Sequence, residues 1–227
     1  MNVRSVRDKL DELRLLTSAP GAVRDADAIV VTETWLDSSI PDGAMLLDRR
    51  TLHRLDRDET ATGKTRGGGV CIYVHQKYAT DSRTIHTHCC KDLEVLMISC
   101  RPFYLPREIS SIVIIEVYVP PDADVNKAMS LLHDVITERL RLQPDAGVIV
   151  TGDFNKACLK KVLPRFTQHV DCATRGGNTL DKVYTQLKGS YKVMPHVGSR
   201  DFATLPNAHC MQTLRPPQRS GVSCSGQ

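Results

Sequence analysis

The chain has 227 residues, 41% hydrophobic and 25% charged, which suits one globular domain of ordinary size or at most two small ones. Its net charge of +4 and pI near 8.6 are compatible with a polyanionic partner, but many proteins without one share them. No apolar run approaches the roughly 18 residues of a membrane span, and the polar, charged stretch from Met1 to Lys9 leads to the expectation of no signal peptide.

In chain order, Ser5 to Leu16 reads as an amphipathic helix, with Val6, Leu10 and Leu13 on one face and a capping box from Ser5 to Asp8. Ala28 to Thr32 (AIVVT) is a continuous apolar run, as in a strand buried on both faces. A polar stretch around Asp37 to Lys64 holds a short strand near Leu52 to Leu55. Gly67 to Val74 is a glycine turn feeding a strand, and two more strands, Leu93 to Cys100 and Ser111 to Val119, flank a loop marked by Pro102 and Pro106. Asp124 to Leu142 is the clearest helix, stopped by Pro144. Gly147 to Thr151 is a strand running into Gly152-Asp153-Phe154-Asn155, followed by a short helix over Ala157 to Leu163. Thr179 to Tyr184 and Tyr191 to Met194 read as late strands, and from Pro206 onward the composition predicts a disordered tail. Strands outnumber helices and alternate with them irregularly, which implies an α/β or α+β sandwich. The eight cysteines form no CxxC pair, and the adjacent Cys89 and Cys90 are poorly placed to chelate one metal. An intracellular, reduced protein is expected.

Acidic and amide residues recur just after apolar strands. Glu33 follows AIVVT, Asp153 and Asn155 follow GVIVT, Asp181 lies in TLDKVY, and Tyr118 ends a strand before Pro120-Pro121. Strand ends on a rigid sheet aim side chains at one place, and carboxylate and amide oxygens suit hard cations such as Mg²⁺. Taken singly, each has a plainer reading: a loop carboxylate, a helix cap, a packing tyrosine, a surface ion pair.

Their order carries more. Asn2-Val3-Arg4-Ser5, Thr32-Glu33-Thr34-Trp35-Leu36, Gly67-Gly68-Gly69-Val70, Val117-Tyr118-Val119-Pro120-Pro121, Gly152-Asp153-Phe154-Asn155 and Leu180-Asp181-Lys182-Val183-Tyr184 together resemble the endonuclease domain of LINE-type non-LTR retrotransposons. That domain belongs to the exonuclease–endonuclease–phosphatase family, whose fold is AP-endonuclease-like and DNase I-like. The resemblance runs over about residues 2 to 205 and leaves 206–227 as an unstructured tail. It implies an α/β fold, a two-sheet sandwich flanked by helices, with a phosphodiesterase site at one end. It also implies Mg²⁺ (or Mn²⁺) as cofactor, DNA as partner, no membrane, and a nuclear location.

By the same resemblance, Glu33 is the main metal ligand with Asn2 beside it, and Asp201 is a further potential ligand. Tyr118 donates to a phosphate oxygen, Asp153 orients the attacking water or serves the leaving oxygen, Asn155 holds the phosphate, and Asp181 orients a catalytic histidine. Arg54, Arg57, Lys64, Arg66, Arg101 and Arg107 sit where DNA phosphate contacts would follow; Arg66 is the one taken as a substrate contact.

The sequence departs from the family at both ends. Where the family has Ser-Asp-His, this chain has Ser199-Arg200-Asp201-Phe202, and a phenyl ring neither takes nor donates a proton. His196 and His209 do not hold the motif position. Only Met1 precedes Asn2, so the first core strand is expected to be missing, and the alignment lapses before the last one. The expectation is a weakened or inactive nicking enzyme. A non-catalytic DNA-binding remnant and a phosphatase of small phosphate esters stand as alternatives.

Overall fold

The computed structural model describes residues 1–175 and 177–186. Its helices are α1 (Leu10–Ser18), α2 (Glu59–Thr62) and α3 (Val125–Leu142). Its strands are β1 (Ala28–Thr32), β2 (Arg50–Leu55), β3 (Val70–His75), β4 (Ser82–Cys89), β5 (Glu94–Cys100), β6 (Ile112–Tyr118), β7 (Gly147–Asp153), β8 (Thr167–Gln168) and β9 (Asp181–Thr185). They form two sheets, ordered β1-β3-β2 and β4-β5-β6-β7-β9-β8. All pairings between these strands are antiparallel except β6 with β7. That parallel pair is the one bridged by α3, as a parallel crossover requires.

Three apolar layers hold these elements together. Ile72 and Val74 of β3 pack against Leu96, Ile98, Ile114 and Ile149 of the second sheet, which makes the sandwich. Val113, Ile115, Val148 and Val150 face the other way, onto Ala128, Met129, Leu132 and Ile136 of α3. Val31, Cys71 and Tyr73 turn outward from the first sheet onto Val6 and Leu13. Strands buried on both faces read as unbroken apolar runs, which is why AIVVT, VCIYV and GVIV were legible. Helix α3 starts where Asp124 accepts from the amides of Asn126 and Lys127, and it ends just before Pro144.

Three expectations need correction. The Ser5–Asp8 capping box does not form: a 3-10 turn over Arg7–Lys9 precedes α1, and neither start has a side-chain cap. The reason is that residues 1–6 serve β1 instead. Met1 carbonyl accepts from Thr32 at 2.7 Å, and the amides of Val3, Ser5 and Val6 donate to Thr32, Glu33 and Thr34. That ladder runs beside β1, with Asn2 bridged in parallel to Thr32. Strand β4 was not anticipated, because SRTIHTHC is an edge strand whose side chains are mostly exposed or half-buried and lack an apolar face. The short helix predicted over 157–163 is reduced to a 3-10 turn, Leu159–Lys161. The predicted strand Tyr191–Met194, Asp201, Phe202, His196, His209 and the tail lie outside the described residues.

Candidate active site

The register of the larger sheet draws the site. Glu94 opposes Tyr118, Tyr118 opposes Asp153, and Asp153 opposes Asp181. Four neighbouring strands thus place one polar side chain each in a single row across the same end of the sheet. The smaller sheet contributes Glu33, the residue after β1, and Asn2, its neighbour across the bridge to Thr32.

Asp153 is fully buried and closes the two sheets together. The Asn2 amide donates to its Oδ2 at 2.9 Å, Arg175 to the same oxygen at 3.3 Å, and the Asn155 backbone to Oδ1 at 3.1 Å. Burial, and then the charge of Asp181 beside it, push its carboxyl above the ordinary value. Gly152 lets β7 run this close to β6: a Cβ there would stand 1.9 Å from the Val117 carbonyl oxygen. Phe154 anchors the following turn, its ring edge-on to Tyr184 with centroids 5.1 Å apart. Asn155, in the left-handed region at φ 47°, donates one side-chain hydrogen to the Val119 carbonyl at 2.8 Å. Its second amide hydrogen has no partner among the described residues.

Glu33 also sits in the left-handed region, at φ 59°, a conformation that costs a non-glycine residue about 1 kcal/mol or more. The loop holds it there. Its Oε2 accepts from Trp35 Nε1 at 2.5 Å and from the Gly68 amide at 3.1 Å. Tyr118 lies between Glu33 and Asp153; burial first, then the hydrogen bond to Glu33, push its phenol well above the usual range. At neutral pH it is therefore a hydrogen-bond donor.

Behind this row stands an ion pair that sequence reading missed. Arg57 donates to Glu94 at 2.5 Å, with the two side chains 7% and 0% exposed. The other Glu94 oxygen accepts from Gly69 at 2.7 Å, and the guanidinium lies 5.5 Å from the centre of the Tyr118 ring. Gly68 rests on that guanidinium so closely that a Cβ would stand 2.1 Å from it. A signal existed: Glu94 shares strand parity with the inward Leu96 and Ile98. Arg175 gave none, lying in a polar loop.

Of the basic residues singled out in the sequence, half are otherwise engaged. Arg54 is tied to Asp42, Asp56 and two loop carbonyls, Arg57 to Glu94, and Lys64 to Asp122 at 2.7 Å. Arg101 and Arg107 belong to the β5–β6 loop, at the opposite end of the sheet from Glu94 and Tyr118. Arg66 alone of the six is exposed at the site, stacked 4.6 Å over the Trp35 ring. Asp181 completes the row, with Oδ1 buried and without a hydrogen-bond partner among the described residues.

Glu33, Glu94, Asp153 and Asp181 set four carboxylates against the guanidiniums of Arg57 and Arg175. No group of three metal-binding side chains gathers among the described residues. Mg²⁺ does not require one, since it commonly takes one or two carboxylates and keeps its waters. Hard oxygen donors, an acidic balance and the orphaned buried carboxylate oxygen of Asp181 fit such a cation.

The sequence profile of the Endonuclease/Exonuclease/phosphatase family matches residues 1–206. The 3′ phosphatase NExo from Neisseria, solved with a product DNA hairpin, superposes with a TM-score of 0.61 at 14% identity, over 96% of this chain and 97% of that one. The AP endonuclease LMAP from Leishmania major gives 0.61 at 15% identity, over 95% and 86%. The human Nocturnin catalytic domain gives 0.55 at 13%, over 85% and 82%. At such identities the likeness is one of fold. No curated protein matches the chain in sequence.

Proposed function

The chain belongs to the Endonuclease/Exonuclease/phosphatase family, and from that premise we propose that it is a divalent-cation-dependent phosphodiester hydrolase of the LINE retrotransposon type, which nicks DNA weakly. The observation that carries this reading is the convergence of Asn2, Glu33, Tyr118, Asp153 and Asp181 at one end of the sandwich. The DNA hairpin held by NExo supports DNA as the substrate class. The motifs TETWL, VYVPP and LDKVY support the LINE branch, and a nuclear location belongs to the same proposal.

In this reading Glu33, with Asn2 beside it, holds Mg²⁺ or Mn²⁺, which when bound supplies Lewis-acid polarisation of the phosphate. The protein's own groups do the rest by position. Tyr118, kept protonated, donates to a phosphate oxygen as negative charge builds there. Asn155 offers its free amide hydrogen to another. Asp153, fixed by three donors, accepts from the attacking water. Asp181 is set to orient an imidazole, and the sequence gives Phe202 where the family has that histidine. Losing a general base costs about 10²- to 10⁴-fold in rate, which is why the nicking is weak. Asp201 is retained in this proposal as a further cation ligand.

Nicking of supercoiled plasmid in Mg²⁺ tests this. Phe202→His is expected to exceed the native chain by about 10²-fold or more, and adding Glu33→Gln to it should abolish nicking. A folded Phe202→His protein without cation-dependent nicking refutes the proposal.

A further inference from the structure

The geometry points to Trp35 as a positioning residue that sets the rotation of the Glu33 carboxylate for its cation, an inference that rests on the reading of Glu33 as the cation ligand. Two independent observations carry it. The indole Nε1 donates to Glu33 Oε2 at 2.5 Å, a hydrogen bond assisted by the charge of the carboxylate. The backbone is also bent for the purpose. Trp35 stands at φ 54°, in the left-handed region that a bulky side chain rarely adopts. Its own amide and that of Thr34 are pinned to the carbonyls of Gly68 and Gly69 at 2.9 and 3.1 Å. Strain of this kind persists only where surrounding bonds over-determine it, and it gathers at functional sites.

The consequence follows from counting lone pairs. The indole and the Gly68 amide both donate to Oε2, so that oxygen is engaged twice and the carboxylate cannot rotate freely. Neither bond falls on Oε1, which leaves that oxygen open to a cation beside the Tyr118 hydroxyl, itself hydrogen-bonded to this carboxylate. Groups that hold a ligating carboxylate from behind in this way commonly govern metal affinity by about 10- to 100-fold. The ring has a second neighbour: Arg66 covers its face at 4.6 Å. The indole is thus gripped at its edge by Glu33 and on its face by a cation, and neither contact is required for core packing, since Trp35 belongs to none of the three buried clusters.

Trp35 is the sole tryptophan of the chain, so the indole N–H gives a single cross-peak in a ¹H–¹⁵N spectrum. In the full chain that peak is expected well downfield, to move upfield in Glu33→Gln, and to shift on titration with Mg²⁺ or broaden with Mn²⁺. The second measurement is Mn²⁺ affinity, read from free Mn²⁺ by electron paramagnetic resonance. Trp35→Phe and a benzothienylalanine at position 35, which keeps the bicyclic shape but lacks the donor, are each expected to weaken it about 10-fold. Their cation-free melting should stay close to the native value in the benzothienyl protein. If both bind Mn²⁺ as tightly as the native chain while Glu33→Gln does not, the positioning role is overturned and the cation site stands. If Glu33→Gln binds Mn²⁺ like the native chain, the cation reading itself is overturned, and the role of Trp35 with it.

Discussion

Removing Arg57 should be severely damaging although it touches no proposed substrate contact. In Arg57→Leu the fully buried Glu94 loses its partner and keeps only the Gly69 amide. Breaking a buried pair from one side costs about 3–5 kcal/mol, set against a total stability of about 5–15 kcal/mol for a domain of this kind. With a urea slope of about 2 kcal/mol per molar, the unfolding midpoint should fall by roughly 2 M.

The loss has a sign in pH. Burial already raises the Glu94 carboxyl above its ordinary 4.5, with Arg57 opposing that rise. Without Arg57 the carboxyl climbs further. A carboxyl raised in the folded state contributes stability that is fully present below its unfolded value and is lost as pH rises through its folded value. The deficit of Arg57→Leu should therefore be larger at pH 8 than at pH 5. Adding Glu94→Gln removes the stranded charge and keeps an acceptor for Gly69, so the double variant should recover about 1–3 kcal/mol. A loss below about 1 kcal/mol in the single variant, or a double variant no more stable than the single one, would refute this account.

Two further predictions follow from buried groups. Glu116 lies at the middle of β6 with no exposure, and among the described residues only the N-terminal ammonium of Met1 and the Val31 amide offset the burial of its carboxyl. Burial holds its pKa well above the ordinary value, so native stability should decline as pH rises above about 4.5. Glu116→Met should flatten that slope and add about 1–3 kcal/mol at pH 8; matching pH slopes in thermal melts would contradict it. Gly152→Ala, by contrast, forces a Cβ to 1.9 Å from the Val117 carbonyl at φ 140°. It should cost about 4 kcal/mol, from backbone strain together with overpacking, and a melting temperature within a few degrees of native would contradict it.

How far the sequence could be read depended on whether a residue's role was local. Strands buried on both faces announced themselves as apolar runs, and α3 by its period, its Asp124 cap and its Pro144 stop, because those signals arise within the element. The polar edge strand β4 carried no such signal, and the start of α1 was misplaced because Ser5 donates to Glu33, not to its own helix. At the site, the ordered motifs brought forward Glu33, Asp153, Asn155, Asp181 and Tyr118. They were silent on Arg175 and on the Arg57–Glu94 pair, whose partners lie 22 and 37 residues away in the chain.

The amino-acid sequence by itself determined the apolar strands, helix α3 and which residue types stand at those strands' ends, since these follow from the chain's own periodicity and turn chemistry. Register decided the rest. Only the pairing of β5, β6, β7 and β9 sets Glu94, Tyr118, Asp153 and Asp181 in one row. Only the stacking of the two sheets brings Asn2 within 2.9 Å of Asp153, 151 residues away. The same pairing sends Arg101 and Arg107 to the far end, since β5 leaves the site before its loop begins. Such placements are sums over long-range contacts, and no local pattern encodes them.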